Sequence, residues 1–163
     1  MSEKEWIEDR EEMEAILQEE TVGYLALAAE GQPYVVPLNY AYADGRILFH
    51  CALSGKKLDW LATNSQACFA VGRQSGLVGD HGPGGACHLD SDSVICYGWA
   101  RVVEDLEERR RVLEEFNRRY YPAAEPLSAE RVAGCCAIEL RVEEMTGRQE
   151  RQRQRTCWRY HFS

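Results

Sequence analysis

His50, Cys51, Ser54, Lys56 and Lys57 fall within the short string HCALSGKK. Histidine titrates near neutrality, so His50 suits proton transfer or a hydrogen bond to a redox centre. Cys51 stands close to two lysines, a setting that lowers a thiol pKa and makes a reactive thiolate. Ser54-Gly55-Lys56-Lys57 reads as the opening of a helix. There the free backbone N–H groups, the helix dipole and the lysine charges all favour an anion. The upstream glycine spacing of a Walker loop is missing, so this is no nucleoside-triphosphate loop. An anion site beside an apolar sheet suits a flat aromatic phosphate cofactor. The competing readings are a core histidine, a core cysteine and a solvated helix end.

A second set of donor atoms lies further on: Asp80, His81, Cys87, His88, Asp90 and Asp92. The spacing fits no zinc pattern, since there is no C-x2-C and no second cysteine pair at a suitable distance. No metal site is expected, and residues 74–90 read as a flexible lid. Cys135 and Cys136 are neighbours in an apolar strand, where adjacent side chains point to opposite faces. Core packing is expected of them rather than a disulfide.

Several elements must hold the HCALSGKK string in place. Val35, Val36, Leu38, Tyr40 and Tyr42 have strand composition. Asp44-Gly45 is a tight-turn signal. Ile47, Phe49 and Cys51 then alternate with Arg46, Leu48 and His50, which gives the return strand two faces. A hairpin over 34–51 therefore feeds a helix from about Ser54 to Thr63. Upstream, Asp9 and Glu12 suit a capping box for a helix over 9–20, with Met13, Ile16 and Leu17 as its apolar stripe. Residues 21–29 form a first strand.

Downstream, 66–73 read as a strand. Residues 74–90 hold five glycines and a proline, which excludes helix or regular strand. Residues 92–104 form a long strand in which Gly98 marks a bulge or a close backbone approach. A helix over 105–120 carries Leu106, Val112, Leu113, Phe116 and Tyr120 near one face, with a solvated Glu/Arg face opposite. A last strand covers 134–143. Tyr24, Tyr97 and Trp99 are expected in the core or at a subunit interface. Short connections imply antiparallel pairing, hence a mainly β barrel of about six strands with helices outside it. The expected layout is one domain over 1–163: a helix to residue 20, a barrel over 21–145 and a C-terminal tail over 146–163.

The bulk numbers agree with one packed domain: 163 residues, 45% hydrophobic and 28% charged. A net charge of −8 argues against nucleic acid or anionic membrane as a partner. No stretch approaches the roughly 18 apolar residues of a membrane span. The acidic opening MSEKEWIEDREEMEA has no apolar h-region and does not read as a secretory signal. A cytoplasmic protein with its seven cysteines reduced is the expectation.

The string VGYLALAAEGQPYVVPLNYAYADGRILFHCALSGKKLDWLATN, with DSVICYGWARVVED later, resembles the FMN-binding split barrels. More narrowly, it resembles the nitroimidazole-resistance (Nim-type) branch of the pyridoxamine 5′-phosphate oxidase-like superfamily, over about residues 8–145. The resemblance implies a six-stranded antiparallel split barrel that dimerises and binds two FMN molecules along the dimer interface. Carried over, Val36, Pro37, Leu38, Asn39 and Tyr40 would run along the isoalloxazine edge. Lys56 and Lys57, with Ser54, would hold the phosphate. His50 and Cys51 would line the site, with His50 as the catalytic candidate, and Ser93 would reach it from the partner subunit. Trp158 and Arg159 would be the C-terminal residues that touch FMN. The activity implied is a flavin-dependent oxidoreductase that reduces a small flat acceptor such as a nitroaromatic. Alternatives are a flavin carrier or sensor without turnover, and a haem-binding split barrel with His50, His81, His88 or His161 as axial ligand. The C-terminal TCWRYHFS does not match the substrate-binding pattern of a pyridoxamine-phosphate oxidase.

Overall fold

The computed structural model describes residues 6–79, 87–151 and 154–163, with the backbone alone for 75–79 and 87–88. Helix α1 (Arg10–Glu19) begins where the Asp9 carboxylate accepts a hydrogen bond from the Glu12 backbone N–H, the contact that its spacing predicts. Met13, Ile16 and Leu17 are its buried residues. Strands β1 (Val22–Ala29) and β2 (Gln32–Asn39) pair antiparallel from Val22↔Asn39 to Ala29↔Gln32.

At Tyr40 the chain changes partner. Strand β2 stays with β1, while the short β3 (Ala41–Ala43) pairs with β4 (Arg46–Cys51). The hairpin expected over 34–51 is thus two separate pairings with Tyr40 as the joint. The Tyr40 ring is buried and its hydroxyl donates to the Leu17 carbonyl at 2.7 Å. Its backbone is satisfied by a side chain: the Tyr120 hydroxyl accepts from the Tyr40 N–H at 3.2 Å and donates to the Tyr40 carbonyl at 2.5 Å. The turn at Asp44-Gly45 is tight as expected, with φ of 41° and 77°.

Helix α2 (Lys56–Thr63), β5 (Gln66–Gly79), β6 (Cys87–Val102), α3 (Leu106–Tyr120), α4 (Ala129–Ala133), β7 (Cys136–Arg151) and β8 (Gln154–His161) follow. The strands form one sheet in the order β2-β1-β5-β6-β7-β4-β3, with β8 on β7. Strands β2 and β3 are consecutive in the chain yet lie at opposite ends of the sheet. The sheet must therefore curl until its ends approach each other at Tyr40, which makes a barrel with a split. The expected mainly β split barrel with peripheral helices is borne out. Its sheet has eight strands, because β3 stands apart from β2 and the expected tail supplies β8.

Two boundaries move. Strand β5 continues to Gly79 and β6 begins at Cys87, paired as far as Gly79↔Cys87, so most of 74–90 is strand. A long antiparallel partner satisfies the backbone whatever the local glycine content, and a register shift between Gln74 and Gly76 absorbs the irregularity. Asp80 and His81 lie outside the described residues, as do the side chains of Cys87 and His88. Much of the expected tail is strand as well: β7 runs to Arg151 and pairs with β8 from Glu144↔His161 to Arg151↔Gln154.

The main core fills the barrel. Phe69 meets Tyr40 at 4.7 Å and Phe49 at 5.5 Å, both edge to face. A second core, with Leu48, Val112, Leu113 and Phe116, lies between β4 and α3. The polar side of α3 is less free than expected, since Glu115 pairs with Arg46 at 3.0 Å and Glu108 with Arg101 at 2.5 Å. At Gly98 the expected bulge is present, and a Cβ there would lie 1.9 Å from the Arg141 carbonyl oxygen. Tyr24, Tyr97 and Trp99 are not in the core: they are 51%, 42% and 46% exposed on the outer face of the sheet. Among the described residues no helix is long and apolar enough to cross a membrane.

Candidate functional site

Strand β4 delivers two kinds of side chain. Ile47, Phe49 and Cys51 pack on the barrel core, while Leu48 and His50 face α3. His50 is no core histidine. It is exposed and meets the Phe116 ring edge to face at 4.7 Å. With Asn39, Phe116, Asn117, Tyr120 and Tyr121 it lines a cleft of about 460 Å³, a usual size for a small-ligand site. The Asn39 amide donates to the Thr21 carbonyl at 3.0 Å, which leaves its oxygen as an acceptor. Tyr120 therefore has two roles: its hydroxyl fastens the Tyr40 joint and its ring walls the cleft.

Just beyond β4, α2 begins at Gly55, which has φ of 141° and no side-chain cap. The Leu58 and Asp59 N–H groups both turn back to the Gly55 carbonyl, at 2.9 and 3.3 Å. The earlier N–H groups of such a helix start have no intrahelical acceptor. Nothing lies within 4 Å of where a Gly55 Cβ would stand. The Lys56 ammonium lies 5.0 Å from the Tyr34 ring and 4.8 Å from the Trp60 ring, a cation–π seat between β2 and α2. An open helix start with two lysines and a glycine fits a phosphate group.

Of the two readings of Cys51, the structure favours the protonated thiol. Burial above all, then the neighbouring Cys136 thiol, push the Cys51 thiol up to about 12, although Lys57 pulls it down. The lysine charge is present as the sequence implied, but desolvation outweighs it.

Strand β2 lies at the end of the sheet and pairs only with β1 among the described residues. Its other edge presents backbone groups, apart from Pro37, which has no N–H. Val36 and Leu38 lean on the core, and Pro37 and Asn39 face outward. The Tyr40 side chain belongs to the core rather than to the site. Ser54 is exposed beside Gly55.

Ser93 lies elsewhere in the subunit. It lines a second cleft of about 490 Å³ with Trp6, Tyr97, Arg148 and Arg159. Trp158 is buried in the main core and is not brought to either cleft. Its neighbour Arg159 does line the second one, with its guanidinium 4.2 Å over the Trp6 ring and 3.1 Å from Glu144. A parallel bridge holds Trp6 there: the Ile7 N–H donates to the Cys157 carbonyl at 2.9 Å and the Arg159 N–H to the Ile7 carbonyl at 3.0 Å.

Asp92 is buried, and its Oδ2 accepts from Arg73 and from Arg151, each at 2.8 Å. Burial pushes the carboxyl up, but the hydrogen bonds from Arg151 and Arg73 outweigh it and hold it below the usual carboxylate range. Sequence reasoning missed Trp6, Asn117 and Tyr121 as lining residues. For α3 the signal was present, because Phe116 and Tyr120 were on the expected apolar face.

The sequence profile described as pyridoxamine 5′-phosphate oxidase matches residues 9–149. Among solved structures, a Bacteroides thetaiotaomicron protein provisionally assigned to 5-nitroimidazole antibiotic resistance is 29% identical, with a TM-score of 0.77 over 86% of this chain and 84% of that one. A FAD-binding protein of Mesorhizobium loti is 26% identical, with a TM-score of 0.65 over 88% and 96%. A flavocytochrome of Azotobacter vinelandii has the same fold, at 17% identity and a TM-score of 0.76 over 96% and 80%. An uncharacterised protein of Rhizobium meliloti (strain 1021) is 33% identical over 62 residues, which are 38% of this chain and 40% of that protein. With the profile spanning most of its length and the curled antiparallel sheet beneath it, the chain belongs to the pyridoxamine 5′-phosphate oxidase family and has its split-barrel fold.

Proposed function

We propose that the chain is a cytoplasmic FMN-dependent oxidoreductase that works as a homodimer and reduces a small flat acceptor such as a nitroaromatic compound. One observation carries the reading: a phosphate-competent helix start and an aromatic cleft with an exposed histidine adjoin the end of the same strand, β4. The likeness to the Bacteroides protein supports the choice of acceptor. Bound FMN would supply the two-electron chemistry. The chain's own part is binding and orientation. The start of α2, Lys56, Lys57 and Ser54 hold the phosphate. The unpaired edge of β2 meets the polar rim of the ring system. His50 hydrogen-bonds the acceptor and can pass it a proton. Phe116, Tyr120 and Tyr121 stack against the acceptor's plane, and the Asn39 and Asn117 amides orient its polar substituents.

The homodimer is supported by the outer face of the sheet. Val22, Tyr24, Val35, Tyr97 and Trp99 are exposed there, and Tyr and Trp are enriched at subunit interfaces. A second copy on that face brings in the Ser93 cleft with Arg148 and Arg159.

The test begins with the absorption spectrum of protein purified without added cofactor, then heat release of the chromophore. Flavin bands and released FMN are expected. A Soret band, or a colourless protein that takes up no FMN, overturns the cofactor. Anaerobic reduction followed by a nitroimidazole then tests turnover. Reoxidation faster than that of free FMN is expected, and a rate equal to free FMN leaves a carrier or sensor.

A further inference from the structure

Cys51 ends β4, Cys136 opens β7, and the strand register sets them directly opposite each other. Opposed residues of an antiparallel pair have Cα atoms about 4.5–5.5 Å apart, within the span that a disulfide bridges. Their side chains share a side of the sheet. Cys51 leans on the main core like Ile47 and Phe49 before it, and Cys136 is buried two positions before Ile138. The Cys136 thiol donates to the Ala137 carbonyl at 3.8 Å, and its neighbourhood helps hold the Cys51 thiol protonated. A third thiol, Cys135, donates instead to the Cys51 carbonyl at 3.6 Å and to the Cys136 carbonyl at 3.5 Å. All three are reduced in this structure.

We propose that Cys51 and Cys136 form a reversible dithiol–disulfide pair, oxidised by low-molecular-weight disulfides of the glutathione type. Cys51 is half-buried and the more accessible of the two. It loses its proton and attacks one sulfur of the oxidant, whose S–S bond breaks and whose other half leaves as a thiol. Cys136 then attacks the Cys51 sulfur of this mixed disulfide, and the second small thiol leaves. Two chain thiols are oxidised to one S–S bond and one small disulfide is reduced to two thiols. The bridge joins the end of β4 to the start of β7, immediately ahead of Ser54–Lys57. This holds whether or not the chain binds a flavin.

The folded native chain, freed of reductant, is incubated with oxidised glutathione at about pH 9, which raises the thiolate fraction of a thiol held up by burial. It is then digested without reduction and mapped by mass spectrometry. The expected product links the peptide of residues 47–56 to that of residues 132–141, and dithiothreitol reverses it. In Cys135→Ala the same link forms. In Cys136→Ala the reaction stops with glutathione on Cys51. A stable glutathione adduct on Cys51 of the native chain, a link through Cys135, or a link that forms only after unfolding in urea overturns the proposal. So does the absence of any reaction at Cys51.

Discussion

Replacing Tyr120 with Phe separates the fastening role of this residue from its role as a cleft wall. The ring stays and only the hydroxyl goes. That hydroxyl accepts from the Tyr40 N–H at 3.2 Å and donates to the Tyr40 carbonyl at 2.5 Å, at the one residue between β2 and β3. No strand partner replaces it, because β2 has ended and β3 has not begun. Two intramolecular hydrogen bonds of this kind contribute about 0.5–1.5 kcal/mol each. Tyr120 is 41% exposed, so water can reach part of the vacated position and the lower half of the sum applies. A loss of about 1–2 kcal/mol lowers the melting temperature of a chain of 163 residues by roughly 2–8 °C. Thermal unfolding followed by circular dichroism measures it. Tyr121→Phe is the control, since Tyr121 is 65% exposed and should leave the midpoint unchanged. A Tyr120→Phe midpoint within a degree of the native one would show that water serves the Tyr40 backbone equally well, and the fastening argument would fail. Acceptor binding should survive the change, because the aromatic surface is intact.

Lys56→Ala combined with Lys57→Ala should weaken FMN binding more than tenfold, about 1.4 kcal/mol, by fluorescence titration; unchanged affinity sinks the phosphate assignment. His50→Ala should keep FMN and the fold but alter turnover of the acceptor, and pre-steady-state reoxidation reads this directly. Gly98→Ala should cost about 3 kcal/mol, because its Cβ would stand 1.9 Å from the Arg141 oxygen within a strand pair; urea unfolding with a midpoint close to native would contradict that geometry. Asp92 has a folded-state pKa below its unfolded value of about 3.9, so the unfolded chain takes up the proton first. Its stabilisation is present above about pH 4 and is lost as the pH falls through the folded value. Asp92→Asn should therefore flatten the acid limb of stability against pH.

What the sequence made legible was local. The Asp9–Glu12 cap, the Asp44-Gly45 turn and the Gly98 bulge each depend on a few adjacent residues, and each stands where the pattern placed it. The alternation in β4 also put His50 with Leu48, away from Ile47 and Phe49. It could not say that α3 covers that face, because Phe116 comes to His50 only through the folded sheet. The strands over 74–79, 146–151 and 154–161 were hidden for the same reason. Their backbones are satisfied by partners far along the chain, and glycine content says nothing of that. At Cys51 the sign of the lysine effect was right, but the burial that overrides it comes from the folded core against which it packs. Trp6 had no signal at all, since only the bridge of Ile7 to β8 brings it to Arg159.

Strand β7 is hydrogen-bonded to β6 along one edge and along the other first to β4, then to β8. It starts only at Cys136. Until that residue has been synthesised, the strand partner of β4 among the described residues is the three-residue β3, and the sheet has no means of curling closed. At about 5–20 residues per second, a nascent chain therefore spends several seconds with β1, β2, β5 and β6 assembled and their apolar side open. Closure then joins β4 to a strand some ninety positions away, the kind of non-local pairing that makes folding slow. During that interval the half-built sheet is the form of this protein most in need of a chaperone, and substitutions that weaken β7 are expected to act on yield in the cell before they act on chemistry.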